Sequence, residues 1–171
     1  MVDDSFTTNR LQLEQALVRQ FRLLQELINL AKKERDSLLN DPDLVLKIVE
    51  DKEALLDEMS VMEDETRKIV QELSIDFELR NDDTSIQALL PHFKPEDANR
   101  IKNLSAGITS LASQARDLNR ANQALATSKL EWLKATQSFL IGMFQPDTGY
   151  RAQKNGARNQ ESTGLGVEYR A

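Results

Sequence analysis

The chain has 171 residues and a net charge of −6, from 22 Lys and Arg against 28 Asp and Glu; this suits one ordinary domain and makes a phosphate backbone a poor partner. With no Cys and one His, a disulfide scaffold, a thiolate zinc site and thiol catalysis are excluded. No apolar run approaches the roughly 18 residues of a membrane span, and the residues before Leu11 lack a secretory signal, so a cytoplasmic protein is expected.

Six Gly and four Pro leave few turns, four of the six Gly fall after position 145, and aromatic residues at 5% leave little sheet material. Long stretches free of breakers predict an all-α fold. The first helix is expected from Asn9 to Leu39, with Asn9 as cap and Gln12 as its partner three residues on. Leu17, Phe21, Leu24, Ile28, Ala31 and Leu38 recur at spacings of three and four, and Leu13, Leu23, Leu27 and Leu30 widen the stripe. A stripe of that width suits a bundle helix.

Asn40, Asp41 and Pro42 stop this helix, and Pro42 fits the first turn of the next. From there Val45, Ile48, Lys52, Leu55, Met59, Met62, Thr66, Ile69 and Leu73 hold a three-and-four spacing without a skip. Two helices of about 31 residues, each roughly 46 Å long, predict an antiparallel hairpin. Residues 74–95 are mixed. Thr84 with Gln87 starts a short helix that Pro91 stops, and Pro95 with Glu96 and Asp97 reads as the first turn of another.

The last helix carries the longest pattern: Ile101, Leu104, Ile108, Leu111, Ala115, Leu118, Asn122, Leu125, Lys129, Trp132, Thr136, Phe139 and Met143. From Glu96 to Phe144 it would span roughly 73 Å, so about a third would lack cover from the hairpin. The expected overhang is its C-terminal part, where Leu130, Leu133, Phe139, Leu140, Ile141, Met143 and Phe144 crowd together. Exposed apolar surface of that kind marks a partner site; the alternatives are a bend or fold-back at Gly142, or dimerisation. Residues 145–171 hold four basic and three acidic side chains and four Gly, the composition of a flexible tail. The expected organisation is therefore a helical body over 1–144 with helices at about 9–39, 43–73, 84–90 and 96–144, and a disordered Gly-rich tail over 145–171. The long hairpin and the long C-terminal helix would form an elongated bundle or coiled coil.

Catalytic chemistry finds no foothold. His92 lies in a Pro-His-Phe turn, away from the Glu-x-x-His spacing of helical di-iron sites. The carboxylates Glu50, Asp51, Glu53, Asp57 and Glu58 read as a solvated face, and no Gly-rich phosphate loop or Ser-base pairing occurs. No enzyme, metal or cofactor is indicated. Lys52 and Asn122 occupy otherwise apolar seam positions, where a polar group fixes register at a cost in stability; snorkelling is the other reading of Lys52. Met59, Met62 and Met143 are core filler or an adaptable client surface.

Three stretches together carry a resemblance. Ile48-Val49-Glu50-Asp51-Lys52-Glu53-Ala54-Leu55-Leu56 is followed by Met59, Met62 and Glu63; Ala115-Arg116-Asp117-Leu118-Asn119-Arg120-Ala121-Asn122 contains a Leu-Asn-x-x-Asn run; Phe144-Gln145-Pro146-Asp147-Thr148-Gly149 follows the last helix. Over about residues 10–150 this order resembles the FlgN-type flagellar export chaperones. The basic residue expected after Glu63 falls a step late, at Arg67, and Phe144 stands where a Tyr is common. The resemblance implies a cytoplasmic bacterial chaperone without catalytic activity. Such a protein binds the C-terminal segments of the hook–filament junction proteins FlgK and FlgL, prevents their premature assembly and delivers them to the flagellar type III export gate. It implies client binding in the C-terminal portion, here Leu130, Leu133, Phe139, Leu140 and Met143, and gate docking at Phe144. A monomer or weak homo-oligomer is expected, with neither nucleic acid nor membrane insertion. The alternative is a structural coiled-coil protein that self-associates through the C-terminal helix.

Overall fold

The computed structural model describes residues 2–79 and 84–144. The tail expected over 145–171 lies outside them. Helix is the one kind of regular structure among the described residues: α1 (Val2–Asn40), a 3-10 turn (Pro42–Leu44), α2 (Val45–Asp76), α3 (Ile86–Leu89) leading into a 3-10 turn (Leu90–His92), and α4 (Pro95–Phe144). Two compact units divide the chain, residues 1–132 and 133–171. The described part of the second is the last three turns of α4.

Within the first unit α1 and α2 form the antiparallel hairpin. Two polar pairs state its register: Gln20 Nε2 donates to Thr66 Oγ1 at 3.0 Å, and Lys52 Nζ lies 2.7 Å from Glu34 Oε2. Fourteen residues up α1, from Gln20 to Glu34, match fourteen down α2, from Thr66 to Lys52, so both pairs belong to one alignment. Every seam position of α2 from Val45 to Leu73 is buried or half-buried. α4 runs parallel to α1. Asp97, in its first turn, pairs with Arg10, Gly107 faces Phe21, Asn122 Nδ2 donates to the Ala31 carbonyl at 2.7 Å, and Lys129 Nζ donates to the Leu39 carbonyl at 3.3 Å.

The core gathers where the three long helices meet the connector. Leu13 and Leu17 of α1, Val70 and Leu73 of α2, Leu89, Phe93 and Ile101 form one buried cluster. Phe77 at the end of α2 stacks on His92 at 4.6 Å and meets Phe93 edge-on at 5.9 Å, so the short helical segment packs on the hairpin. A second cluster, Ala16, Leu23, Leu55 and Met62, lies between α1 and α2. Burying side chains of this size stabilises the fold by about 1.5–3 kcal/mol each before ordering costs.

Some local expectations change. α1 begins at Val2, and Asn9 sits inside it as a donor to Asp76 at 3.4 Å rather than as a cap. α2 continues to Asp76, three residues beyond Leu73. The short helix is capped by Ser85, whose Oγ accepts from the Ala88 amide at 3.2 Å, in place of Thr84. The chain does not fold back at Gly142, since α4 continues through it to Phe144.

Just past the end of α2, Glu78 has φ 53°, and the Leu79 amide donates to the Ser74 carbonyl at 2.9 Å. A left-handed residue closing a helix this way is usually Gly, because a Cβ costs about 1–2 kcal/mol there. Glu78→Gly is expected to gain roughly 0.5–1 kcal/mol after the added unfolded-state entropy. That would raise the thermal midpoint by about 2 °C in a melting curve.

The two helical glycines differ in kind. A Cβ on Gly107 would come 2.8 Å from Phe21 Cε2, whereas one on Gly142 would meet nothing within 4 Å. Ala in place of Gly favours an unobstructed helix by about 1 kcal/mol. Gly142→Ala is therefore expected to slow amide exchange in the last turns of α4 by about fivefold. Gly107→Ala should yield no gain in the melting midpoint, because Phe21 must move to admit it.

Candidate functional site

The α4 stripe is one continuous pattern with two environments. From Ile101 to Lys129 its residues are buried or half-buried; from Trp132 the same spacing carries exposed side chains at Trp132, Phe139 and Met143, interrupted by half-buried Thr136. The change falls just past Lys129, which reaches the Leu39 carbonyl near the end of α1. Beyond that point α1 has no further turns to offer.

In the first unit, the last turn before residue 133 exposes Leu130 and Trp132. In the second unit, Leu133, Phe139, Leu140, Ile141 and Met143 are all exposed, Phe139 at 67%. At 100° per residue, Leu133, Phe139, Leu140 and Met143 share one face with Thr136, while Ile141 lies well off it. The backbone of Phe144 closes the helix; its side chain lies outside the described residues, as does the segment after it. Large apolar side chains set so closely on one exposed helix face are what an amphipathic partner helix covers.

Lys52 and Asn122, two of the polar residues on the apolar seams, are drawn into one cluster. Lys52 Nζ bonds Glu34 Oε2 at 2.7 Å and Asn119 Oδ1 at 3.1 Å. Asn122, 1% exposed, donates through Nδ2 to the same Glu34 oxygen at 2.7 Å. Lys52 therefore does not snorkel to solvent: it links α2 to α1 and α4. The residue sequence reasoning missed is Glu34. A second three-and-four register runs through α1 as Leu13, Leu17, Gln20, Leu24, Leu27, Ala31, Glu34 and Leu38, and its two polar members each face a polar residue of α2. That register was the available signal.

At the other end of the unit, buried Asp97 pairs with both Arg10 and Arg100, and Glu14 lies 3.5 Å from Arg100. A carboxylate in the first turn of α4 also meets the positive end of that helix. The hydrogen bond to Asp97, then the charge of Glu14, raise the Arg100 guanidinium above its ordinary value. These groups clasp the start of α4 to α1. Among the described residues no three His, Cys, Asp or Glu side chains are grouped to hold a metal ion, and no helix is long and apolar enough to cross a membrane.

Compared with known proteins, the chain matches the family model described as FlgN protein over residues 9–158. No curated protein and no solved structure matches it.

Proposed function

Because this chain belongs to the FlgN family of flagellar export chaperones, we propose that its clients are the hook–filament junction proteins FlgK and FlgL, held by their C-terminal segments. The chaperone covers those segments in the cytoplasm, prevents premature assembly and carries the client to the export gate. It does so by binding, without catalysis. The surface is the exposed α4 stripe, with Leu130, Leu133, Phe139, Leu140 and Met143 supplying the contact. The single observation that supports it is the abrupt exposure of an apolar pattern whose earlier part is packed. A client helix laid along it gains roughly 25 cal/mol per Å² of apolar area, less its ordering cost.

The test is a calorimetric titration of the full chain with FlgK and FlgL, each with and without its last ~40 residues, about eleven helical turns. Binding that disappears with that segment supports the reading; no binding to either intact client from a folded chain overturns it. Phe144, at the end of the helix, has the separate role of docking to the gate. Phe144→Ala is expected to leave client affinity within about twofold while reducing capture of the chaperone by the purified gate subunit. Loss of both together would assign one shared surface to the two partners.

A further inference from the structure

The first unit contains an apolar groove that its own described residues leave open. α1 forms its floor with Leu24 and Leu27, α2 one wall with Leu56 and Met59, and α4 the other with Ile108 and Ala112; its volume is about 570 Å³. Leu56 is 48% exposed, so the groove opens to solvent at its α2 wall. Asn119, bonded to Lys52, bridges the two walls at one end.

Its dimensions fit a helix. The lining runs from Gln20 to Leu27 on α1 and from Leu56 to Glu63 on α2, two turns or roughly 10 Å on each. A guest helix would engage that length with apolar side chains at i, i+3 or i+4, and i+7. Ser60, Ala112 and Ala115 keep the walls low, which permits the 8–10 Å axis separation of packed helices. Among the described residues there is no sheet edge for an extended peptide to join.

The rims carry opposite charges. Arg116 stands on the α4 rim and takes part in no hydrogen bond or ion pair among the described residues. Glu63 stands on the α2 rim, its link to Arg67 an exposed one at 3.6 Å. An occupant is therefore asked for a carboxylate on one edge, an apolar stripe in the middle and a basic or neutral group on the other edge. We propose that this groove is a second seat for the client: it takes an amphipathic client helix with an acidic residue against Arg116 and apolar residues against Leu27, Met59 and Ile108. This rests on the export-chaperone reading and adds to it a contact surface on residues 1–132.

The experiment titrates the full chain, by calorimetry, with a peptide of the last ~40 residues of FlgK, using wild type, Ser60→Trp, Arg116→Glu and Arg116→Lys. Ser60 and Arg116 are exposed, so circular dichroism and the melting midpoint should not change. Ser60→Trp, which fills the groove from its rim, is expected to raise Kd at least tenfold. Arg116→Glu should raise it about tenfold and flatten its salt dependence, and Arg116→Lys should restore most of the affinity. If the peptide binds all four proteins equally, the groove is not its seat and the chaperone reading stands. If it binds none of them, both fall. If the variants change the molar mass seen by light scattering but not the peptide's Kd, the groove joins copies of this chain, and the proposal is overturned.

Discussion

Glu34→Leu is expected to lower the unfolding free energy by about 3 kcal/mol, a loss readable as a reduced midpoint with unchanged slope in urea. The carboxylate accepts from Lys52 and from Asn122. Without it the ammonium of Lys52, whose side chain is 12% exposed, keeps only the Asn119 oxygen as a protein partner. Breaking a buried pair from one side costs about 3–5 kcal/mol, and slight access to water places this one at the lower end. The double change Glu34→Leu with Lys52→Met should recover most of the loss, because two apolar groups leave no charge stranded. Costs that simply add, with coupling under about 0.5 kcal/mol, would show that the pair contributes nothing as a unit. Even when the double variant is stable, the hairpin has lost one of its two part-buried polar pairs. Gln20 with Thr66 is then the remaining pair of that kind, beside the exposed Asn9–Asp76 and Arg19–Glu58 contacts, and a further Gln20→Leu change is expected to broaden the unfolding transition.

Leu133→Asp combined with Leu140→Asp is expected to weaken FlgK and FlgL binding a hundredfold or more while the melting midpoint stays within about 1 °C. Both side chains are about half exposed in the free protein, so the folded state buries little through them. Covering the exposed half of two leucines is worth roughly 1.5–3 kcal/mol in a complex, and every 1.4 kcal/mol is tenfold in affinity. Two carboxylates on that face must be desolvated as well. Unchanged calorimetric affinity from this folded variant would remove the α4 stripe from the client surface.

The long elements were legible because their seams are long. Ile48, Leu55, Met62 and Leu73 repeat often enough that one packed face is the only arrangement that buries them all. Pro42 and Pro95 mark starts through the fixed φ and missing amide of proline. The beginning of α1 was not legible, since residues 2–8 continue a helix without an apolar period to announce it. Nor was the docking of the 84–93 segment: Leu89 and Phe93 are too few to show a period, and they are buried with Leu13, Leu17, Val70 and Leu73, which lie far away in sequence. At the site, exposure past Lys129 follows from helix lengths alone, so the sequence could indicate it. Glu34 is marked in the sequence by its place in the second α1 register, but that one carboxylate oxygen accepts from both Lys52 and Asn122 shows only once α2 and α4 are laid alongside. The groove is a property of three helices together, and no single stretch of sequence displays it.

The position of Trp132 has a practical consequence. It is the chain's one tryptophan, and it lies where the α4 stripe passes from cover to exposure, with 66% of its surface open. Its emission in the folded protein should already resemble that of an indole in water, so thermal unfolding will hardly shift the wavelength. A client covering the stripe will shift it to the blue. The chain thus carries an intrinsic optical reporter that responds to occupancy and is almost silent to denaturation, which allows the two to be followed separately in a single cuvette without a label.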